Sequence, residues 1–239
     1  MDDWVMQALA ALTADPTATA LLFDVDGTLA PIVPNPDAAR VPDATRAELR
    51  RLAGRYGLVA CVSGRTGEVA RAIVGVPELT YVGEHGLELE PEAEAWRERI
   101  GSFRERAAWP AEEKPLSAAF HYRTAPDRDA ARRVLEQIEA DARVAGFRTR
   151  WGRLVLEVLP AIEASKGTAV AHLLEHTGLR RALYAGDDTT DLDAFAALDD
   201  LELGVRVAIA SPESPPALRD RADIVLDSPA ALAELLAEL

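Results

Sequence analysis

The stretch Ala20-Leu21-Leu22-Phe23-Asp24-Val25-Asp26-Gly27-Thr28-Leu29-Ala30-Pro31 decides how this chain is read. Its first four residues are apolar without alternation, the pattern of a strand buried on both faces in a parallel sheet. The run ends in Asp24 and Asp26, two carboxylates at i and i+2 that point the same way while strand geometry persists. In open α/β sheets, ligands bind just beyond the carboxyl ends of the strands. Two like charges held close call for a cation, or for a proton on one of them. That layout suits metal-assisted phosphoryl transfer.

Working outward, strand and helix patterns alternate. Residues 3–14 predict a short amphipathic helix. Residues 43–55 predict another, with Asp43 as N-cap and Leu49 and Leu52 three apart on one face. Leu58–Val62 is a second apolar strand, 66–74 a helix starting at Thr66, and Leu79–Val82 a third strand. This alternation predicts an α/β fold, a parallel sheet with helices on both faces. The rhythm changes after Pro91. A helix is expected near Trp96–Arg106, and a strand over Leu116–Tyr122, a strong helix over Asp127–Ala145 and a hairpin (Phe147–Trp151, Gly152, Arg153–Leu159) then form a strand–helix–hairpin block. Ser117, Ala119, His121 and Arg123 fall on one face of that strand. Residues 166–176 then resume the first rhythm, with late strands at Ala182–Ala185, Val205–Ile209 and Ile224–Leu226 and a closing helix at 229–238. The block reads as an inserted α+β cap, with boundaries expected at 1–104 (core, first part), 105–162 (cap) and 163–239 (core, second part). Pro212-Glu213-Ser214-Pro215-Pro216 reads as a surface loop.

Bulk properties narrow the partners. The chain has 239 residues, 49% of them hydrophobic and 28% charged, ordinary for a globular protein. Lys and Arg number 26 against 40 Asp and Glu, a net charge of −14, which argues against nucleic acid and anionic membranes as partners. It does not argue against an anionic small molecule, because local cations and a bound metal set the field inside a cleft. One cysteine, Cys61, cannot form an intrachain disulfide, and the Met1-Asp2-Asp3-Trp4 start lacks the pattern of a secretory signal. No apolar run reaches the ~20 residues that span a bilayer. The cytoplasm is the expected compartment.

Four motifs in order carry a family resemblance. Asp24-Val25-Asp26-Gly27-Thr28 is the first, Ser63-Gly64-Arg65 after the second strand the next. Lys166 within Ser165-Lys166-Gly167 is the third, and Gly186-Asp187-Asp188-Thr189-Thr190-Asp191 the fourth. Together they resemble the signatures of haloacid-dehalogenase-like (HAD) phosphatases and span nearly the whole chain. Within that group the chain is most similar to the trehalose-6-phosphate phosphatase family. The support is Gly83-Glu84-His85-Gly86, Lys114 with His121-Tyr122-Arg123, Glu157 ahead of Pro160, and Asp187 through Phe195. The resemblance implies a HAD-like Rossmannoid core with an α+β cap. The implied activity is Mg²⁺-dependent hydrolysis of a sugar phosphate, with trehalose 6-phosphate the first substrate to test. The implied relation is functional coupling to a trehalose-6-phosphate synthase. Rival substrates are sucrose phosphate and mannosyl-3-phosphoglycerate; a non-catalytic phosphosugar-binding role is the rival of another class.

The resemblance also implies roles. Asp24 would attack phosphorus and Asp26 would act as general acid and base. Ser63 and Lys166 would hold the phosphoryl group, and Ser63 could equally serve as a helix N-cap. Asp24, Asp26, Asp187 and Asp188 would form the metal site, with Asp191 as a further candidate. Arg65, Glu84, His85, Glu112, Lys114, His121, Arg123 and Glu157 would contact substrate, since sugar hydroxyls need paired donors and acceptors. An ordinary charged strand face is the alternative for the cap residues, and an acidic helix start the alternative for Asp187, Asp188 and Asp191. Leu159 and Leu192 depart from the family pattern, which often has a basic residue and a glutamate there. Three residues lie between Cys61 and Arg65, too few for a Cys-x5-Arg phosphatase loop, so Cys61 reads as a core residue.

Overall fold

The computed structural model describes residues 3–152, 154–211 and 214–239. Met1 and Asp2 of the N-terminal reading, Arg153 at the head of the second hairpin strand, and Pro212 and Glu213 of the surface loop lie outside the described residues. In chain order the first elements are α1 (Asp3–Ala14), β1 (Thr19–Phe23), α2 (Asp43–Ala53), β2 (Leu58–Val62), α3 (Gly67–Val74) and β3 (Thr80–Val82). Then come α4 (Arg97–Arg106), β4 (Glu112–Glu113), β5 (Ala118–His121), α5 (Arg128–Val144), β6 (Arg148–Gly152) and β7 (Val155–Leu159). The last are α6 (Lys166–Thr177), β8 (Arg181–Gly186), α7 (Asp191–Ala196), β9 (Leu203–Ile209), α8 (Pro216–Arg221), β10 (Ile224–Leu226) and α9 (Pro229–Glu238).

The chain divides into two compact units, Met1–Gly86 with Ala164–Leu239, and Leu87–Glu163. The larger unit is built on a parallel six-stranded sheet of order β10-β9-β8-β1-β2-β3. All five residues of β1 are buried, as its uninterrupted apolar run requires of an inner strand. The chain runs from β1 toward β2 and β3 on one side, and β8 takes the other side. The switch point of the sheet therefore lies beside β1, and its carboxyl edge carries Asp24, Ser63, Glu84 and Asp187. Helices α3 and α6 carry the caps their sequences supply, whereas α2 begins at Asp43 behind Pro42 with no side-chain cap, so the expected Asp43 N-cap does not form. Thr66 accepts from the Val69 N–H at the start of α3, and Ser165 accepts from the Gly167 and Thr168 N–H groups at the start of α6. Ser63 does not cap a helix; Thr66 does.

The smaller unit is an antiparallel sheet of order β4-β5-β7-β6. One face is apolar: Phe120, Leu156 and Val158 pack with Ile100 and Phe103 of α4, Leu135 and Ile138 of α5, and Phe147. Phe147 lies 5.5 Å from Trp96 and 5.2 Å from Phe103 between ring centroids. That aromatic cluster is why α4 groups with this unit, which begins at Leu87, ahead of the boundary expected at residue 105. Among the described residues, no helix is long and apolar enough to cross a membrane.

Candidate active site

Parallel register sets the first geometry. Phe23 pairs with Ala185, and the Asp24 N–H donates to the Ala185 carbonyl at 2.9 Å, so the turns after β1 and β8 leave the sheet side by side. Gly27 (φ +86°) lets them close up. A Cβ there would collide with the Asp187 carboxylate. Asp24, Asp187 and Asp191 each bring a carboxylate oxygen within 4.8 Å of the others. Lys166, at the first turn of α6, lies 2.7 Å from Asp24 Oδ1 and 2.7 Å from Asp191 Oδ1.

Three carboxylates facing one ammonium leave an excess of negative charge in a buried space. Burial pushes Asp24 up to about 7, opposed by Lys166 and reinforced by Asp191. Burial, then Asp24 and Asp191, push Asp187 up to about 9. Burial works against the Lys166 charge, yet Asp191 and Asp24 outweigh it and hold the ammonium above the ordinary lysine range. A like-charge pair at ~4 Å costs roughly 4 kcal/mol at an effective dielectric of 20. Hard, all-oxygen donors with this surplus charge, cradled against Gly27, fit a divalent cation.

The three carboxylates are not equivalent. Asp191 Oδ1 accepts from Lys166 Nζ and from the Tyr184 hydroxyl, both at 2.7 Å, and Oδ2 accepts from the Asp187 and Asp188 N–H groups, both at 2.9 Å. A carboxylate offers about four acceptor positions, so those of Asp191 are filled. Burial holds the Tyr184 phenol well above its ordinary range, and the group stays a donor. The expected metal set and the converging set share Asp24 and Asp187, together with the further candidate Asp191. Asp188 is exposed, its Oδ1 accepting from the Thr189 N–H at 2.7 Å. Asp26 is gripped by Arg65, Nε to Oδ2 at 2.6 Å and Nη2 to Oδ1 at 2.7 Å. Arg65 was expected to touch substrate; in this structure it holds Asp26 and also donates to the Pro36 carbonyl at 3.2 Å.

The Ser63-Gly64-Arg65 turn is braced by the Gly83–Gly86 segment. The Glu84 N–H donates to the Arg65 carbonyl at 2.8 Å and the His85 N–H to the Ser63 carbonyl at 2.9 Å. Ser63 Oγ accepts from the Arg65 N–H at 3.2 Å. Glu84 (φ +48°) and His85 (φ +54°) both adopt the left-handed region, at a cost of order 1–3 kcal/mol each. His85 lies over Gly64, its Nε2 2.6 Å from where a Cβ would stand.

In the smaller unit, Glu112 of β4, Ala119 of β5, Glu157 of β7 and Arg150 of β6 are consecutive register partners, so their side chains share one face. His121 Nε2 lies 2.9 Å from Glu112 Oε2, Lys114 Nζ lies 4.0 Å from the same oxygen, and Arg150 Nε and Nη2 donate to Glu157 Oε2 at 2.8 and 2.6 Å. Arg123 falls past the end of β5 and is exposed, outside the strand face on which the alternation placed it. Arg150 and Tyr184 were not singled out from sequence. Tyr184 carried a signal, being the one polar ring in the apolar run Ala182–Ala185; Arg150 carried none without the strand register.

A family model described as trehalose-phosphatase matches residues 22–109 and 110–229. The chain belongs to the trehalose-phosphatase family. Among relatives, a trehalose-phosphate phosphatase of Mycobacterium marinum is 34% identical over 92% of this chain and 61% of its own. A probable trehalose-phosphate phosphatase G of Arabidopsis thaliana is 31% identical over 80% of this chain and 62% of its own. The trehalose-phosphatase region thus spans somewhat over half the length of the curated relatives it matches. A solved trehalose-6-phosphate phosphatase related protein superposes with a TM-score of 0.77 at 21% identity, over 91% of this chain and 95% of that one. The C-terminal domain of the C. albicans trehalose-6-phosphate phosphatase gives 0.75 at 23%, over 97% and 94%. A haloacid dehalogenase-like hydrolase from Bacteroides thetaiotaomicron gives 0.61 at 16%, over 92% and 98%, and so the trehalose-phosphatase family fold is HAD-like.

Proposed function

We propose that this protein is a Mg²⁺-dependent phosphatase that hydrolyses trehalose 6-phosphate to trehalose and phosphate through an aspartyl-phosphate. The observation that carries the reading is the single ammonium of Lys166 shared by Asp24 and Asp191 at the sheet's switch point, with Asp187 alongside. Asp24 is the nucleophile: its free oxygen attacks phosphorus and forms the acyl phosphate. Asp26 gives a proton to the departing sugar oxygen, then takes one from the water that cleaves the acyl phosphate. The guanidinium of Arg65 fixes where the Asp26 carboxylate stands. Lys166 and Ser63 supply donors to the phosphoryl oxygens, and Lys166 keeps Asp24 from turning away. Mg²⁺, held by Asp24 and Asp187, would offset the surplus negative charge and polarise the phosphoryl group. Splitting the reaction into two displacements suits a monoester whose uncatalysed hydrolysis is extremely slow.

The smaller unit supplies the sugar specificity in this reading, through Glu112, Lys114, His121 and Glu157, with Arg123 and the Glu84-His85 turn as further contacts. Family membership supports the disaccharide, because fold and catalytic set alone do not select a substrate. A synthase that transfers glucose to glucose 6-phosphate would supply the substrate, and a reducing cytoplasm suits the buried thiol of Cys61. The test is phosphate release from a panel of trehalose 6-phosphate, sucrose phosphate, mannosyl-3-phosphoglycerate and p-nitrophenyl phosphate, with and without EDTA. The highest kcat/KM is expected for trehalose 6-phosphate, lost on chelation and restored by Mg²⁺. Preference for another sugar overturns the substrate, and no turnover of any ester overturns the enzyme.

A further inference from the structure

Asp191 works through two different oxygens. Oδ2 receives the N–H groups of Asp187 and Asp188 and so shapes the turn that carries Asp187. Oδ1 receives Lys166 and Tyr184 and so sets where the ammonium stands relative to Asp24. Among the described residues, Tyr184 is the one donor to Oδ1 besides the lysine itself. Packing holds Tyr184 as well: the residue is 0% exposed, and its ring meets Phe195 edge-on at 6.1 Å and 83°. Phe195 lies one helical turn beyond Asp191 on α7, so one tyrosine clamps this helix by both ring and hydroxyl.

We propose that Tyr184 is a positioning residue for the phosphoryl-transfer step: its hydroxyl fills the second acceptor position of Asp191 Oδ1, leaving the Lys166 ammonium shared with Asp24. Without that hydroxyl, Oδ1 has Lys166 as its sole donor and draws the ammonium away from Asp24 and from the incoming phosphoryl oxygens. The backbone bonds to Oδ2 are untouched. The loss therefore falls on turnover and spares the cation site. A residue that merely packed the core would lower stability and leave both constants alone.

This inference rests on the phosphatase reading, and the test separates the two. Wild-type protein is assayed with p-nitrophenyl phosphate and trehalose 6-phosphate; absence of turnover there refutes the phosphatase reading and takes this proposal with it. With wild-type turnover in hand, Tyr184→Phe is compared for kcat, KM, thermal midpoint, and Mg²⁺ affinity by calorimetry. Roughly a tenfold fall in kcat on both esters is expected, with KM and the Mg²⁺ dissociation constant within about twofold, less than the roughly 10²–10³-fold of a donor that touches the reacting oxygen, because Tyr184 acts through Asp191. A kcat within twofold of wild type overturns the proposal. A parallel loss of Mg²⁺ affinity also overturns it, since the two oxygens would then not divide the work. Phe195→Leu keeps the hydroxyl but loosens the ring, and gives an independent reading should Tyr184→Phe fold poorly. A smaller kcat loss with the same spared Mg²⁺ affinity supports the proposal, and an unchanged kcat opposes it.

Discussion

The Asp191 carboxylate of the larger unit and the Glu157 carboxylate of the smaller one are both held by a cation, yet they are built for different work. Asp191 is fully buried and accepts four hydrogen bonds from a lysine, a tyrosine and two backbone groups. Glu157 is half-buried on a strand face, and Arg150 puts two nitrogens onto one of its oxygens. The first is a closed arrangement in which every polar atom constrains the next, suited to chemistry that tolerates little displacement. The second is a row of side chains on an open ladder, suited to meeting the hydroxyls of a substrate. In the proposed function, reaction chemistry and substrate choice would then fall to the two compact units of one chain.

The largest expected break in this comparison is Asp24→Asn. Turnover should fall by on the order of 10³-fold or more if Asp24 is the proposed nucleophile. The fold should survive, and the metal-free protein should melt higher at pH 8, since one of three crowded carboxylates loses its charge. Appreciable residual kcat would remove Asp24 from its role. Next is Lys166→Ala, which strips the only ammonium from this buried carboxylate group. A loss of roughly 3–5 kcal/mol in metal-free denaturant unfolding is expected, by the rule for removing one partner of a buried ion pair, and Mg²⁺ should restore part of it. A stability change below 1 kcal/mol would show that the cluster already holds protons in place of the lysine charge.

A smaller and reversible effect comes from pH. Asp24 and Asp187 sit at about 7 and about 9 in the metal-free fold, above the carboxyl values of an unfolded chain near 3.9. Their protonated forms favour the folded state, so this contribution is full below about pH 4 and is lost as pH rises through 7 and 9. Mg²⁺ should therefore raise the thermal midpoint more at pH 8.5 than at pH 5.5 and release protons on binding. An increment independent of pH would contradict the placement of those carboxylates. The smallest effect on stability is Arg150→Ala, within the ~0–1 kcal/mol of partly exposed pairs. Its signature is selectivity: KM for trehalose 6-phosphate should rise about tenfold while that for p-nitrophenyl phosphate stays put. Equal changes for both esters would make Glu157 and Arg150 purely structural.

What could be read before any coordinates follows from local chemistry. Apolar runs closed by acids located β1 and β8, and one closed by Ser63-Gly64-Arg65 located β2, because a strand buried on both faces leaves no alternation and its last residues must turn toward solvent. Helices α1 and α5 were legible from apolar spacing, and α3 from its start at Thr66. The six-residue α7 was not, since it rests on Asp191 and Phe195 meeting Tyr184 rather than on its own periodicity. The start of the smaller unit was hidden for a like reason: the charged surface of α4 conceals Ile100 and Phe103, whose partner Phe147 lies more than forty residues on. Within the site, residue types pointed to acids and a lysine, but pairing is a property of three dimensions. The bidentate grip of Arg65 on Asp26, and the filled acceptors of Asp191 beside an outward Asp188, have no trace in spacing alone.

The contact between Gly27 and Asp187 ties together two segments 160 residues apart in sequence. The turn that follows Asp24 and Asp26 closes directly on the Asp187 carboxylate, a steric boundary with no slack to accommodate even a methyl group. Gly27→Ala, ordinarily among the mildest of substitutions, would wedge that boundary open. The tolerance of this site to change is therefore set where it carries no functional group at all.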